Sequence, residues 1–196
     1  MARVIHKFTR SVPHWQPRIA PVRLDEATPE QLEALKVTPS NTKVSDYVLV
    51  LAHDPESLDA RSPLFNAVMY GRDGLDRAGR EIGAIGASIV NRCIYCAAVH
   101  AQRHAQLTKD PSVTDRIFAA GPQARLEPRD QAMFDFSVRL AATPPEVGPA
   151  DMQALRAAGL DDLEIADLIL ASAMFGWANR LMHILGDPVR EDGEDA

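Results

Sequence analysis

The densest apolar periodicity in the chain lies in its middle. Leu75, Ala78, Ile82, Ile85 and Ile89 step by three or four residues, the spacing of one helix face. The same stepping continues onto Cys93, Cys96 and His100. This predicts a helix over Leu75–Val90, a tight corner at Asn91, a favoured N-cap type, and a second helix over Arg92–Leu107. Both thiols and the imidazole are then aimed at one interior side.

Other elements follow from breaks and caps. Thr28-Pro29-Glu30-Gln31 reads as a helix start, with a capping residue, Pro in the first turn and acids after it. That helix is short and ends before Pro39. Ser45 or Asn41 caps a helix over Tyr47–His53, which Asp54-Pro55 breaks. Leu58–Tyr70 reads as helical, with Pro63 limiting its start, and Gly71-Arg72-Asp73-Gly74 is a turn. Further helices are expected over Ser112–Ala120, Pro128–Leu140 and Asp151–Ala158, the last ended by Gly159. A long helix capped by Asp161 or Asp162 runs to Leu185. No run alternates with period two, so the expected fold is an all-α bundle.

The chain has 196 residues and a formal charge of −6 with no large basic patch, which argues against nucleic acid as a partner. No run of ~18 apolar residues occurs, so no membrane span is expected. Residues 1–23 hold Pro13, Pro17 and Pro21 and five Lys or Arg side chains without an acid, and read as an extended N-terminal arm laid over a neighbour. Residues 24–186 form a single all-α domain with its core at 75–107, and 187–196 read as a loose acidic tail. The basic N-terminus lacks a continuous apolar core and does not read as a secretory signal. A cytoplasmic, reducing setting is expected, and there C-x-x-C spacing points to redox or metal chemistry rather than a structural clamp.

Cys93 and Cys96, three apart at a helix start, have α-carbons ~5 Å from each other, within reach of a disulfide. Unpaired N–H groups and the helix dipole favour a thiolate there. His100 follows one turn beyond Cys96 on the same face and is placed to take its proton. Glu81, in the preceding helix, is placed to orient that imidazole. Together these supply a nucleophile, its base and an orienting carboxylate. Tyr95 points elsewhere on the helix but reaches the pocket with its hydroxyl.

The pattern Glu81, twelve residues on Cys93, then Cys96 and His100, with Tyr95 between the cysteines and Asn91-Arg92 before them, resembles the alkylhydroperoxidase D (AhpD) signature. That family lies in the carboxymuconolactone decarboxylase-like superfamily, and the likeness is to its longer "peroxidase-related" members. The resemblance implies a homo-oligomeric, AhpD-like thiol-dependent peroxidase or disulfide reductase, with antioxidant activity. Carried over residue by residue, it implies Cys96 as the attacking thiol, Cys93 as the resolving one, His100 and Glu81 as the proton relay, and Tyr95 as an accessory hydrogen-bonding group. It implies a peroxide substrate and a dithiol reductant, lipoyl-protein or thioredoxin-like, with no haem, flavin or metal cofactor. The decarboxylase branch lacks the cysteine pair.

Two other readings use the same residues. Cys93, Cys96, His100 and His104 offer a Cys₂His₂ set for zinc, but eleven helical residues rise ~16 Å, too far for four side chains to meet one tetrahedral ion. Cys93, Cys96 and His100 with Glu81 remain a possible metal set. A non-catalytic redox sensor is the other alternative. Finally, Glu164-Ile165 and His183 repeat the nineteen-residue spacing of Glu81-Ile82 and His100. If this marks a duplicated helical unit, Gly176 takes the place of the corner, and Phe175, Trp177 or Asn179 lines the site.

Overall fold

The computed structural model describes residues 2–36 and 44–191. The expected cap Asn41 and stop Pro39 lie outside them, as do residues 192–196. The described chain is mostly helical with one small sheet. In chain order it forms β1 (Arg3–Val4), β2 (His14–Pro17), α1 (Pro29–Ala34), α2 (Asp46–Leu51), α3 (Pro55–Tyr70), α4 (Arg77–Val90), α5 (Ile94–Thr108), α6 (Ser112–Ala120), α7 (Pro128–Ala141), α8 (Pro149–Ala157), α9 (Asp162–Leu185) and β3 (Gly186–Arg190).

The starts are written in side chains. Thr28 and Gln31 form a reciprocal capping box at α1, and Asp161 and Glu164 another at α9. Ser45 caps α2. Asp54 accepts the Ser57 N–H and Pro55 occupies the first turn, so α3 begins at Pro55 rather than Leu58. Pro63 sits inside α3 rather than near its start.

Helix α4 is the axis of the fold: every residue from Gly79 to Ile89 is buried. Ile82, Ile85 and Ile89 pack with Ile117, Phe134 and Leu168 in the largest core cluster. Ala84 and Ala87 pack with Val68, Met69, Ala171 and Phe175 in a second. Small residues let the helices close in. A Cβ on Gly86 would lie 2.7 Å from the Cβ of Ser137 on α7, and one on Gly83 only 3.1 Å from Ser172 Oγ on α9.

Helix α9 has the length and mean hydropathy of a membrane span, which the reading of apolar runs did not register. It packs along α4 and α7, with Ser172 and Asn179 buried on its inner face. The sheet is the second departure from the expected all-helical chain. It has the order β1-β3-β2, all antiparallel, with Trp15 opposite Pro188. Residues 187–190 are therefore paired rather than loose, and the proline-rich arm lies on its own C-terminus. Short strands paired from opposite chain ends carry little periodic signal. Arg18 reinforces the pairing with a 2.6 Å ion pair to Asp187 and a 2.7 Å hydrogen bond to the His183 carbonyl.

Gly86→Val should therefore lower stability by about 2 kcal/mol through overpacking against Ser137. Gly176→Ala, where a Cβ meets nothing nearer than 3.7 Å, should be neutral or stabilising by up to about 1 kcal/mol. Chemical denaturation of the two variants checks the contrast.

Candidate active site

The corner that builds the site differs from the expected one by two residues. Asn91 ends α4 as its C-cap, and Cys93 is the N-cap of α5. Between them Arg92 takes the left-handed conformation, φ 55°, and this reverses the chain. The turn is closed by a 2.9 Å hydrogen bond from Cys93 N–H to the Ser88 carbonyl. Asn91 does not cap α5, whose N-cap lies two residues later, and its Nδ2 donates to Asn179 Oδ1 at 3.2 Å. Cys96 thus falls at the third position of α5, in the turn whose N–H groups lack helical acceptors.

The chain reversal brings Glu81 and His100 together. Glu81 is 0% exposed, and its Oε2 is hydrogen-bonded to His100 Nδ1. Its Oε1 accepts from Arg77 Nε at 2.6 Å, one helical turn back. Burial pushes the Glu81 pKa up, but the His100 and Arg77 contacts outweigh it and the net shift is downward. The carboxylate is therefore ionised and can only accept. Nδ1 of His100 must donate to it, which leaves Nε2 as the ring's free lone pair when the imidazole is neutral. Phe175 of α9 holds the ring edge-on, with centroids 4.2 Å apart.

Cys93 and Cys96 are both buried and both free. The hydrogen bond between the two sulfurs holds Cys93 below the ordinary thiol range and, with burial, pushes Cys96 well above it. Cys93 is therefore the more acidic sulfur of the pair. Asn179 hydrogen-bonds the pair as well, favouring the thiolate form of each, and also donates to Ser88 Oγ at 3.2 Å.

Cys96, Tyr95, His100 and Glu81 line one cavity of about 590 Å³, walled by Phe65 and Phe175. Cys93 opens instead onto a smaller cavity of about 240 Å³ beside Trp15 and His183. His104 joins neither. It is 2% exposed and lines a third cavity with Asp76 and Asp130. Its pKa is lowered by burial. The Cys₂His₂ set is thus not assembled, and among the described residues no three His, Cys, Asp or Glu side chains converge as metal ligands.

The second Glu/His pair does not recreate the first. Helix α9 runs unbroken through Gly176, so Glu164 and His183 stand ~28 Å apart along its axis. Glu164 pairs with Arg129, and His183 bonds the Asn91 carbonyl. The shared spacing is not a duplicated unit. Phe175 and Asn179 do reach the site, whereas Trp177 is 46% exposed on the opposite face. Arg77, Ser88, Tyr47 and Arg61 were not anticipated. Arg77 had a readable signal, since it precedes Glu81 by four residues on one helix face.

The sequence profile of the carboxymuconolactone decarboxylase family matches residues 55–111, which span α3 to α5. A peroxidase-related protein from Ralstonia eutropha JMP134, described as an alkylhydroperoxidase AhpD core, superposes with a TM-score of 0.76. It is 29% identical over 88% of this chain and 91% of its own. In the matched segment and in fold the chain is similar to AhpD-like proteins. A second peroxidase-related protein, from Silicibacter sp. TM1040, superposes on the chain with a TM-score of 0.72. It is 25% identical over 86% of the chain and 91% of its own. The debrominase Bmp8 has a TM-score of 0.71 at 14% identity, covering 85% of the chain and 89% of its own. At that identity the likeness is one of fold, so the chemistry has to be argued from the residues. A search of curated proteins returns no match.

Glu81→Gln tests the buried carboxylate. Because the folded-state pKa of Glu81 is depressed, its contribution is complete above its ordinary value of 4.5 and is lost as pH falls below that, through the folded-state pKa. The variant should lose about 3 kcal/mol at neutral pH, where it leaves Arg77 without its buried counter-charge. Denaturation midpoints of the two proteins should converge as the pH is taken well below 4.5.

Proposed function

We propose that the chain is a thiol-dependent peroxidase working through the Cys93/Cys96 pair, with Glu81 and His100 as its proton relay. The observation that carries the reading is that Cys96 and His100 line one cavity while His100 Nδ1 is committed to a buried, ionised Glu81. An imidazole held in this tautomer presents Nε2 as a base, which is what a protonated Cys96 requires. His100 takes the Cys96 proton as the thiolate attacks one peroxide oxygen. The O–O bond breaks, Cys96 becomes a sulfenic acid, and the departing alkoxide is protonated to an alcohol.

Cys93 completes the cycle. Its depressed pKa makes its thiolate easier to form than that of an ordinary thiol, and it attacks the Cys96 sulfur to form the disulfide, releasing the hydroxyl as water. A dithiol of lipoyl or thioredoxin type then restores both thiols by exchange and becomes a disulfide itself. Attack at Cys96 is favoured, because Cys93 is the better leaving thiolate. Tyr95, on the cavity wall, serves as an accessory donor. The scheme runs on the chain's own side chains in a reducing compartment such as the cytoplasm.

The reading includes a homo-oligomer. Leu163, Leu170, Trp177 and Ile184 recur every seventh residue on the outer face of α9 and stay 46–69% exposed. A seven-residue apolar stripe is the seam of paired helices, and a second copy carries the same stripe. Trp177→Glu should shift the mass seen by light scattering toward that of one chain. A wild-type protein already running as one chain at micromolar concentration sinks this part.

Peroxide consumption with parallel dithiol reductants tests the activity. Cys96→Ser should abolish turnover, and Cys93→Ser should allow one oxidation and then stall. His100→Phe should slow alkylation of Cys96 at neutral pH by about tenfold or more, the usual contribution of a positioned base, and Glu81→Gln should slow it less. After stoichiometric peroxide, mass spectrometry should show both thiols lost together. An unchanged pH profile of alkylation in His100→Phe rules out the relay.

A further inference from the structure

The cavity beside Cys96 contains two polar groups that the redox chemistry does not use. Arg61 of α3 lines it, and its Nε is buried without a hydrogen-bond partner among the described residues. Tyr47 of α2 lines the same cavity, and its hydroxyl is buried and unpartnered as well. The two lie close enough that each perturbs the other's ionisation, with burial the larger influence on both. Burial lowers the Arg61 pKa, yet a guanidinium stays charged in a protein. The Tyr47 pKa is raised, so its hydroxyl remains a donor.

Burying a guanidinium N–H without an acceptor is costly, and the group calls for an acceptor that the described residues do not supply. The cation cannot draw on the one carboxylate among the described lining residues, Glu81, because Arg77 and His100 already occupy it. Phe65 holds the Arg61 guanidinium over its ring at 4.4 Å, which fixes its plane and leaves its N–H edges for another group. Arg103 adds a further positive charge to the lining. Beyond these donors the wall turns apolar, through Val99, Phe175 and Met182, toward Cys96.

We infer that Arg61 and Tyr47 form an anion subsite that holds the carboxylate of an organic acid in the cavity beside Cys96. Resting on the peroxidase reading, this makes the substrate class hydroperoxides of apolar carboxylic acids, gripped at the acid end with the peroxide end presented to Cys96. A guanidinium with a neighbouring hydroxyl matches the two oxygens of a carboxylate, and a neutral amide of the same skeleton matches it poorly.

Titration calorimetry on the full chain, with hydrocinnamate and hydrocinnamide as probes, tests the subsite without requiring turnover. The acid should bind at least about tenfold more tightly than the amide, the scale of one or two charge-assisted hydrogen bonds. Arg61→Gln should erase that preference, Arg61→Lys should keep part of it, and Tyr47→Phe should weaken acid binding a few-fold. Hydrocinnamate should also slow iodoacetamide alkylation of Cys96. Equal affinities for acid and amide in the wild type, no binding of either, a preference that survives Arg61→Gln, or unprotected Cys96 overturns the assignment. The wild-type comparison stands even if a variant fails to fold. Failure to consume peroxide with intact acid binding refutes the peroxidase reading alone and leaves the subsite.

Discussion

A carboxylate with no exposed surface sits at the centre of this protein, and much of the surrounding architecture exists to keep it charged. Left alone, a buried carboxyl would protonate rather than bear the cost of desolvation. Glu81 escapes that outcome through Arg77 on its own helix and His100 on the next. Each partner is held in turn. Arg77 donates to the Met69 carbonyl at 2.8 Å and lies 4.0 Å over the Tyr70 ring. His100 is pinned by Phe175 and brought back by the left-handed residue Arg92. One residue before Glu81, Arg80 is equally buried, and it joins the Leu75 and Val68 carbonyls to Asp167 of α9. Helix α4 is therefore a low-polarity rod carrying two fully satisfied charges, and α3, α5 and α9 supply the partners.

The sulfur pair exploits the same packing. Burial alone would raise both thiol pKa values and leave them inert. The hydrogen bond between them makes Cys93 the more acidic sulfur and Cys96 the less acidic one, while Asn179 favours the thiolate of either. The two open on different cavities, so the less acidic sulfur faces the imidazole and Arg61 while the more acidic one faces the sheet. The two sulfurs sit side by side at the N-cap and the third position of α5, and the packing of α2, α9 and the sheet around them gives each its own cavity.

The helices and the chemical quartet were legible in the sequence because their signals are local. Thr28 and Gln31, Ser45, and Asp161 and Glu164 lie within one turn of the N–H groups they cap. The spacing among Cys93, Cys96 and His100 is a statement about one helix face. Even Arg77 was within reach of that logic. Spacing misled only where it was taken for geometry: Glu164 and His183 share the separation of Glu81 and His100, yet an unbroken helix holds them far apart. The difference is a single corner, and its position depended on Arg92 accepting a positive φ, which Asn91 was the better candidate to do.

What only the tertiary structure decided lies in contacts between distant positions. The pairing of residues 14–17 with 186–190, the reach of Asn179 to Ser88 and Asn91, and the meeting of Tyr47, Arg61 and Cys96 in one cavity all join segments without a shared period. The sequence by itself determined which helices form, where they start, and that a thiol pair, an imidazole and a carboxylate share an interior side. Which cavity each sulfur faces, which of them is the more acidic, and which buried guanidinium N–H is left without an acceptor depend on how those helices pack. Hydrogen bonding within a turn depends on a few neighbouring residues, whereas burial and counter-charge depend on the whole fold.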